Sequence, residues 1–112
     1  MEYLVLIYRD ESKDGEVDWA KLSQEYEEYA AAVAQAGVMR GGKKLQPSAT
    51  ATTVAIRSGE RLVTDGPFAE AREQLGGFFV LECQNLDDAL EWASRCPGAS
   101  HGTVEVRPVM AA

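Results

Sequence analysis

The chain has 112 residues, 46% of them hydrophobic and 26% charged, which fits one globular domain over 1–112 and excludes a disordered or fibrous chain. Its 11 basic and 18 acidic side chains leave a formal net charge of −7. That balance argues against a nucleic-acid partner, because affinity for a phosphate backbone rests on clustered Lys and Arg.

Tyr3 to Tyr8 (YLVLIY) is apolar without a break and reads as a strand buried on both faces. It is too short to span a membrane, and Glu2 precedes it with no cleavage site following. After a polar loop, Asp18 is a plausible N-cap, with Val17 and Leu22 at staple positions. Trp19, Leu22, Tyr26, Tyr29 or Ala30, and Val33 recur at helical spacing up to Gly37, which supplies the stop. Val38 to Leu45 is a candidate strand weakened by Gly41 and Gly42. Pro47 to Thr50 reads as a loop.

Thr52 to Ile56 and Arg61 to Thr64 flank Ser58-Gly59-Glu60, the pattern of a hairpin with glycine in its turn. Asp65-Gly66-Pro67 makes a second turn, since Gly66 tolerates positive φ and Pro67 fixes φ. Ala69 to Leu75 is long enough for one or two helical turns, and Gly77 to Cys83 is a strand. Asn85 caps a second helix with Leu86, Ala89, Leu90 and Ala93 facing inward, and Pro97 ends it. Thr103 to Val109 alternates, placing Val104 and Val106 on one face and Glu105 and Arg107 on the other. Pro108 points to an edge or a strand end.

Removing the hairpin from this order leaves βαββαβ. The expected fold is therefore α+β and ferredoxin-like, with an inserted β-hairpin and two helices on one face of an antiparallel sheet. Because the first strand is apolar on both sides, the other sheet face needs a cover, and a homodimer supplies one.

Several chemistries fail on spacing. Gly37 to Lys44 nearly spells a phosphate loop, but Lys44 stands where Ser or Thr must hold magnesium, and the segment follows a helix instead of opening one. One histidine and two distant cysteines cannot supply a structural zinc site, so neither metal nor cofactor is expected. Cys83 and Cys96 read as buried free thiols of a reducing cytosol, the expected location. His101 is the sole histidine, in the turn before the last strand; it either titrates near neutrality at a site or sits idle in a loop. Asp65 either closes its own turn or moves a proton. Glu70 and Glu73, with Arg72 between them, are either a solvated turn or an acidic lip over a cleft. Glu105 and Arg107 pair with each other or with Asp65 if they face a partner sheet.

TDGPFAEAREQLGGFFVLEC, followed by a capped helix, Pro97 and GTVEVRPV, resembles the DGPF subgroup of the YCII-related family from Met1 to Met110. The resemblance implies a dimeric α/β barrel of ferredoxin-like protomers, with a cleft between helices and sheet that takes small organic molecules. It also implies a link, in some members, to extracytoplasmic-function sigma factors, and so a regulatory protein partner. The motif residues carried over are Asp65, Gly66, Pro67 and Phe68, then Glu70, Arg72, Glu73, Gly76, Gly77, Glu105 and Arg107. Arg72 stands where relatives usually have lysine. The YciI-type branch is associated with a His–Asp pair whose histidine lies on the first helix; the helix here has none, so that branch's lyase or dehydrochlorinase mechanism is not carried over.

Besides a structural dimer whose motif residues only hold turns and ion pairs, two functions are expected to compete. One is a cofactor-free lyase or isomerase in which Asp65 or His101 moves a proton while Arg107 holds an anion. Phe68, Glu70, Arg72, Glu73 and Glu105 would complete its cleft, with Gly66, Pro67, Gly76 and Gly77 shaping the backbone. The other is a non-catalytic sensor that binds a small molecule and acts through a protein partner.

Overall fold

The structure, a computed structural model, describes residues 1–111. In chain order the elements are strand β1 (Glu2–Arg9), helix α1 (Trp19–Gln35), strands β2 (Met39–Lys44), β3 (Thr52–Arg57), β4 (Glu60–Asp65) and β5 (Gln74–Glu82), helices α2 (Leu86–Arg95) and α3 (Gly98–His101), and strand β6 (Thr103–Pro108). Short 3₁₀ turns cover Glu11–Glu16 and Ser48–Thr50.

Four strands form an antiparallel sheet in the order β2-β5-β1-β6. In the registers Tyr3–Leu81, Val5–Phe79 and Val5–Val106 the period of two sends one side-chain set toward the helices. Val5, Val33 and Leu81 are fully buried there, with Tyr29 from α1 and Ala89 and Ala93 from α2 against them. Burying one such aliphatic side chain is worth roughly 1.5–3 kcal/mol, so this seam holds α1 and α2 to the sheet. The Asp18 side chain accepts from the Lys21 N–H at 3.2 Å, and Asn85 accepts from Asp88 N–H at 2.9 Å, capping both helices. Gly37, at φ 77°, ends the α1 region.

β3 and β4 pair only with each other, as a second, two-stranded sheet. Ser58 (φ 51°) and Gly59 (φ 78°) form its turn, the left-handed pair that a two-residue hairpin demands.

This architecture corrects the expected fold class. The chain has a mixed α/β fold whose antiparallel sheet is open, not a dimeric α/β barrel. Four strands are too few to curl round and close, because closure needs a continuous staggered ladder from first strand to last. The outer strands β2 and β6 end the sheet instead, and Pro108, lacking an N–H, closes β6. The extra helix α3 also departs from a simple ferredoxin-like βαββαβ chain, whereas the hairpin, expected as an insertion, is present as a separate two-stranded sheet.

Two smaller expectations are corrected. Between Ala69 and Glu73 there is no helix, and from Gln74 onward the backbone is already β5. The segment has no apolar stripe to bury, and a single unsupported turn does not repay its nucleation. In α2, Ala89 and Ala93 are buried but Leu86 and Leu90 stay exposed. Among the described residues no helix is long and apolar enough to cross a membrane.

Candidate functional site

Beneath the N-terminal half of α1 lies a hollow of about 430 Å³, within the range of small-ligand sites. Its roof is the α1 face bearing Trp19, Leu22 and Tyr26; its floor is the end of β1 with Gly76 to Phe79 of β5; Gly42 to Lys44 of β2 form one side, and His101 and Gly102 one end. The stripe that makes α1 amphipathic thus does two jobs. Tyr29 and Val33 seal the core, while Trp19 and Tyr26, nearer the N-terminus, are left over the hollow.

The glycine pair makes the floor possible. A Cβ on Gly77 would stand 2.8 Å from the carbonyl oxygen of Lys43, and one on Gly76 would stand 2.6 Å from Nη1 of Arg9. Neither glycine is in the left-handed region; what they provide is space for β2 and for a guanidinium laid across the strand. Phe79 then closes the inner wall, stacked on Tyr26 with ring centres 6.5 Å apart and edge-on to Tyr29 at 5.5 Å.

Charge at the rim is uneven. Arg9 donates through Nε and Nη2 to the two carboxylate oxygens of Asp14, each at 3.0 Å, with Glu11 at 3.7 Å. The hydrogen bonds to Asp14, chiefly, hold its guanidinium above the ordinary arginine value. Two cations lie over the Trp19 ring, Arg9 at 5.4 Å and the Lys44 ammonium at 5.6 Å from its centre. Its indole N–H donates to the Asp14 carbonyl at 3.2 Å. Among the described residues neither Lys43 nor Lys44 has a carboxylate at ion-pair distance. One carboxylate, Glu27, lines the hollow with them.

Two protic groups, Tyr26 on the wall of the hollow and Cys96 behind it, do not serve as nucleophiles. Burial, above all, pushes the Tyr26 phenol well above the usual tyrosine range, with Cys96 beside it adding to the effect. Burial likewise pushes the Cys96 thiol up. Both stay protonated at neutral pH, and a thiol in that state is inert. Cys83 and Cys96 are both free and buried. Among the described residues, no group of three or more His, Cys, Asp or Glu side chains is placed to hold a metal ion.

Of the residues singled out from the sequence, the hollow gathers Gly76, Gly77 and His101. The others lie elsewhere. Asp65 ends β4 and is exposed. Gly66 (φ 100°) turns the chain there; its N–H donates to the Ala51 carbonyl at 2.7 Å, and its carbonyl accepts from the Thr53 hydroxyl at 2.7 Å. Pro67, Glu70 and Arg72 are exposed, Glu73 is half-buried, and Phe68 is 87% exposed. Glu105 and Arg107 pair with each other on β6, opposite Leu6 and Leu4 on β1, on the sheet face away from the helices. The structure therefore does not bring Asp65, His101 and Arg107 into one site.

Sequence reasoning missed Arg9, Trp19, Tyr26, Lys43 and Lys44 as members of a site. Trp19 and Tyr26 carried the same periodic signal as the core, and the lysines looked like a solvated strand. The available signal was the Gly42-Lys43-Lys44 run itself, a strand whose glycine admits a neighbour's aromatic ring: a Cβ on Gly42 would stand 2.8 Å from Phe79.

The family model for the YCII-related domain matches residues 1–112. The chain is also 39% identical over 116 residues to an uncharacterised protein of Rhizobium meliloti, an alignment covering 97% of this chain and 92% of that one.

Proposed function

The chain belongs to the YCII-related family, and we propose that it binds a small aromatic or apolar anion in the hollow beneath α1. The observation that carries this reading is the pairing of an apolar, aromatic-walled space with two lysines, Lys43 and Lys44, that lack ion-pair partners among the described residues. A flat ring would lie between Trp19, Tyr26 and Phe79, and its carboxylate would meet the ammonium groups at the rim. The glycine pair keeps the space open.

Within the family we place the chain in the DGPF subgroup, on Asp65 to Phe68 and the following glycine pair, as one domain over 1–112. The same reading makes it a cytosolic protein, supported by two free buried thiols, and a self-associating one, supported by the half-buried apolar side chains Leu4, Leu6 and Val80 on the sheet face away from the helices.

Bound ligand without chemistry would make the protein a sensor acting through a partner. A second reading, a cofactor-free lyase or isomerase, is favoured by His101 at the end of the hollow, where an imidazole could move a proton. Asp65 lies outside that space, so in this reading His101 is the proton carrier.

The test is titration with benzoate, salicylate, 1-naphthoate and their neutral amides, followed by Trp19 fluorescence in a Trp92→Phe background. Saturable quenching by the acids is expected, weakened about tenfold or more by Lys43→Gln with Lys44→Gln, as for loss of a charge-assisted hydrogen bond. Equal affinity for acids and amides, or no saturable change, would overturn the anion assignment. Turnover of a bound acid that is lost in His101→Asn would select the enzymatic reading.

A further inference from the structure

Asp14 fills only one edge of Arg9. A guanidinium carries its N–H donors in a planar fork. The Asp14 carboxylate accepts from Nε and Nη2, at 3.0 Å each. The other edge, formed by Nη1 and the remaining N–H of Nη2, has no hydrogen-bond partner among the described residues. The nearest carboxylate to it is Glu11, 3.7 Å from Nη2 and outside hydrogen-bonding range. Both Glu11 oxygens are engaged elsewhere: one accepts from the Ser48 N–H at 2.9 Å, the other from the Ser48 hydroxyl. Ser48 thus holds Glu11 back from the fork.

That open edge borders the hollow. Nη1 lies against Gly76, 2.6 Å from where a Cβ would stand, and Arg9 and Gly76 line the same space. Among the described residues no side-chain nitrogen is both buried and unpaired, so Nη1 reaches open space and not packed protein. The guanidinium is also held still. Asp14 grips one edge, the Trp19 ring centre lies 5.4 Å from its Cζ, and Gly76 supports Nη1. The Arg9 side chain keeps 21% of its surface exposed. A fork fixed in this way loses little freedom when it takes a ligand.

We infer that the free edge of Arg9 is the group that selects the ligand of the hollow, and that the class it selects is aromatic monocarboxylates, not aryl phosphates. The inference rests on the proposed binding of an aryl anion there, and it moves the selective contact from the lysines to Arg9. A carboxylate is planar, and its two oxygens match two parallel N–H bonds of a guanidinium. Lys43 and Lys44 are point charges that attract an anion without sensing its shape. Lys44 shares the Trp19 ring with Arg9, 5.6 Å from its centre, so one carboxylate meets the fork while an ammonium neutralises it. A phosphate monoester differs in charge. Around the hollow Arg9, Lys43 and Lys44 are matched by Asp14, Glu11 and Glu27. A second negative charge on the ligand therefore gains no net attraction, while its desolvation costs more.

Isothermal titration calorimetry of the full chain tests this with 1-naphthoate, 1-naphthyl phosphate and 1-naphthamide, at about pH 8 where the phosphate ester is a dianion. Naphthoate should bind about tenfold or more tighter than the phosphate. Arg9→Lys keeps the charge but not the fork; it should weaken naphthoate about tenfold or more and leave naphthamide within about twofold. Collapse of the hollow would weaken both. Nitrogen-15 NMR of the unaltered protein needs no variant: saturating naphthoate should shift the Nη–H signals of Arg9, and naphthamide should not. Naphthoate bound equally by parent and Arg9→Lys would overturn the inference while leaving the hollow a binding site. So would phosphate bound as tightly as naphthoate, or Arg9 signals unmoved at saturation. Failure of all three compounds to bind the parent would overturn the reading of the hollow itself, and this inference with it.

Discussion

The β1–β5 pair and the β3–β4 hairpin are both antiparallel ladders of alternating side chains, each rich in Val, Leu or Ile. In the first, Val5 and Leu81 are wholly buried beneath Val33 of α1. In the second, Val54 and Val63 face each other across the ladder and remain more than half exposed. Propensity and turn chemistry made both; what differs is the layer laid on top. A strand is specified by its own sequence, but its stability comes from what covers its face.

The largest expected effect tests that difference directly. Leu81→Ala should cost about 3 kcal/mol or more, because it opens a cavity in a seam with no solvent access. Val54→Ala, measured on dilute protein, should cost under about 0.5 kcal/mol. Urea denaturation of the two variants at low concentration makes the comparison, and equal losses would break it.

An intermediate effect is expected at the floor of the hollow. Gly77→Ala would drive a methyl group against the Lys43 carbonyl, 2.8 Å away, so β2 must shift. A loss of about 1–3 kcal/mol follows, as for other overpacked sites, together with weaker binding of aryl acids. Thermal melts and the fluorescence titration read both; a variant with parental stability would mean that β2 moves aside freely. The smallest effect is expected on the open face. Arg107 keeps a side chain 68% exposed even while paired with Glu105, so Arg107→Ala should change monomer stability by under about 0.5 kcal/mol. Denaturation in low and high salt checks this, and a larger, salt-sensitive loss would place the pair in a more buried setting.

Much of the body was legible in advance. Asp18 and Asn85 as caps, Gly37 as a stop, the hairpin at Ser58-Gly59 and the turn at Gly66 are all local chemistry, and each stands where the residue types predicted it. The segment after Pro67 was misread because Ala, Glu and Arg have helical propensity but no apolar face to bury. Leu86 and Leu90 were misread because helical spacing defines a stripe without saying where the sheet beneath it ends. At the candidate site only His101 and the glycine pair were anticipated among the lining residues. Trp19 and Tyr26 belong to the same stripe as Tyr29 and Val33, and nothing in that periodicity distinguishes a residue over a hollow from one over a core.

The sequence by itself determined the composition class, the element order apart from the segment after Pro67 and helix α3, the ends of the two long helices and the turns, and the alternation that sorts Val104 and Val106 from Glu105 and Arg107. These depend on contacts within a few residues, or on which side of a strand a side chain leaves. Only the tertiary structure decided that the sheet stays open, that the hairpin stands apart from it, and that Arg9, Lys43, Lys44, Trp19 and His101 surround one space while Asp65 does not. Those outcomes depend on the register of strands far apart in the chain, and on where two glycines let β2 and Arg9 come close to β5. Period and propensity carry no record of either.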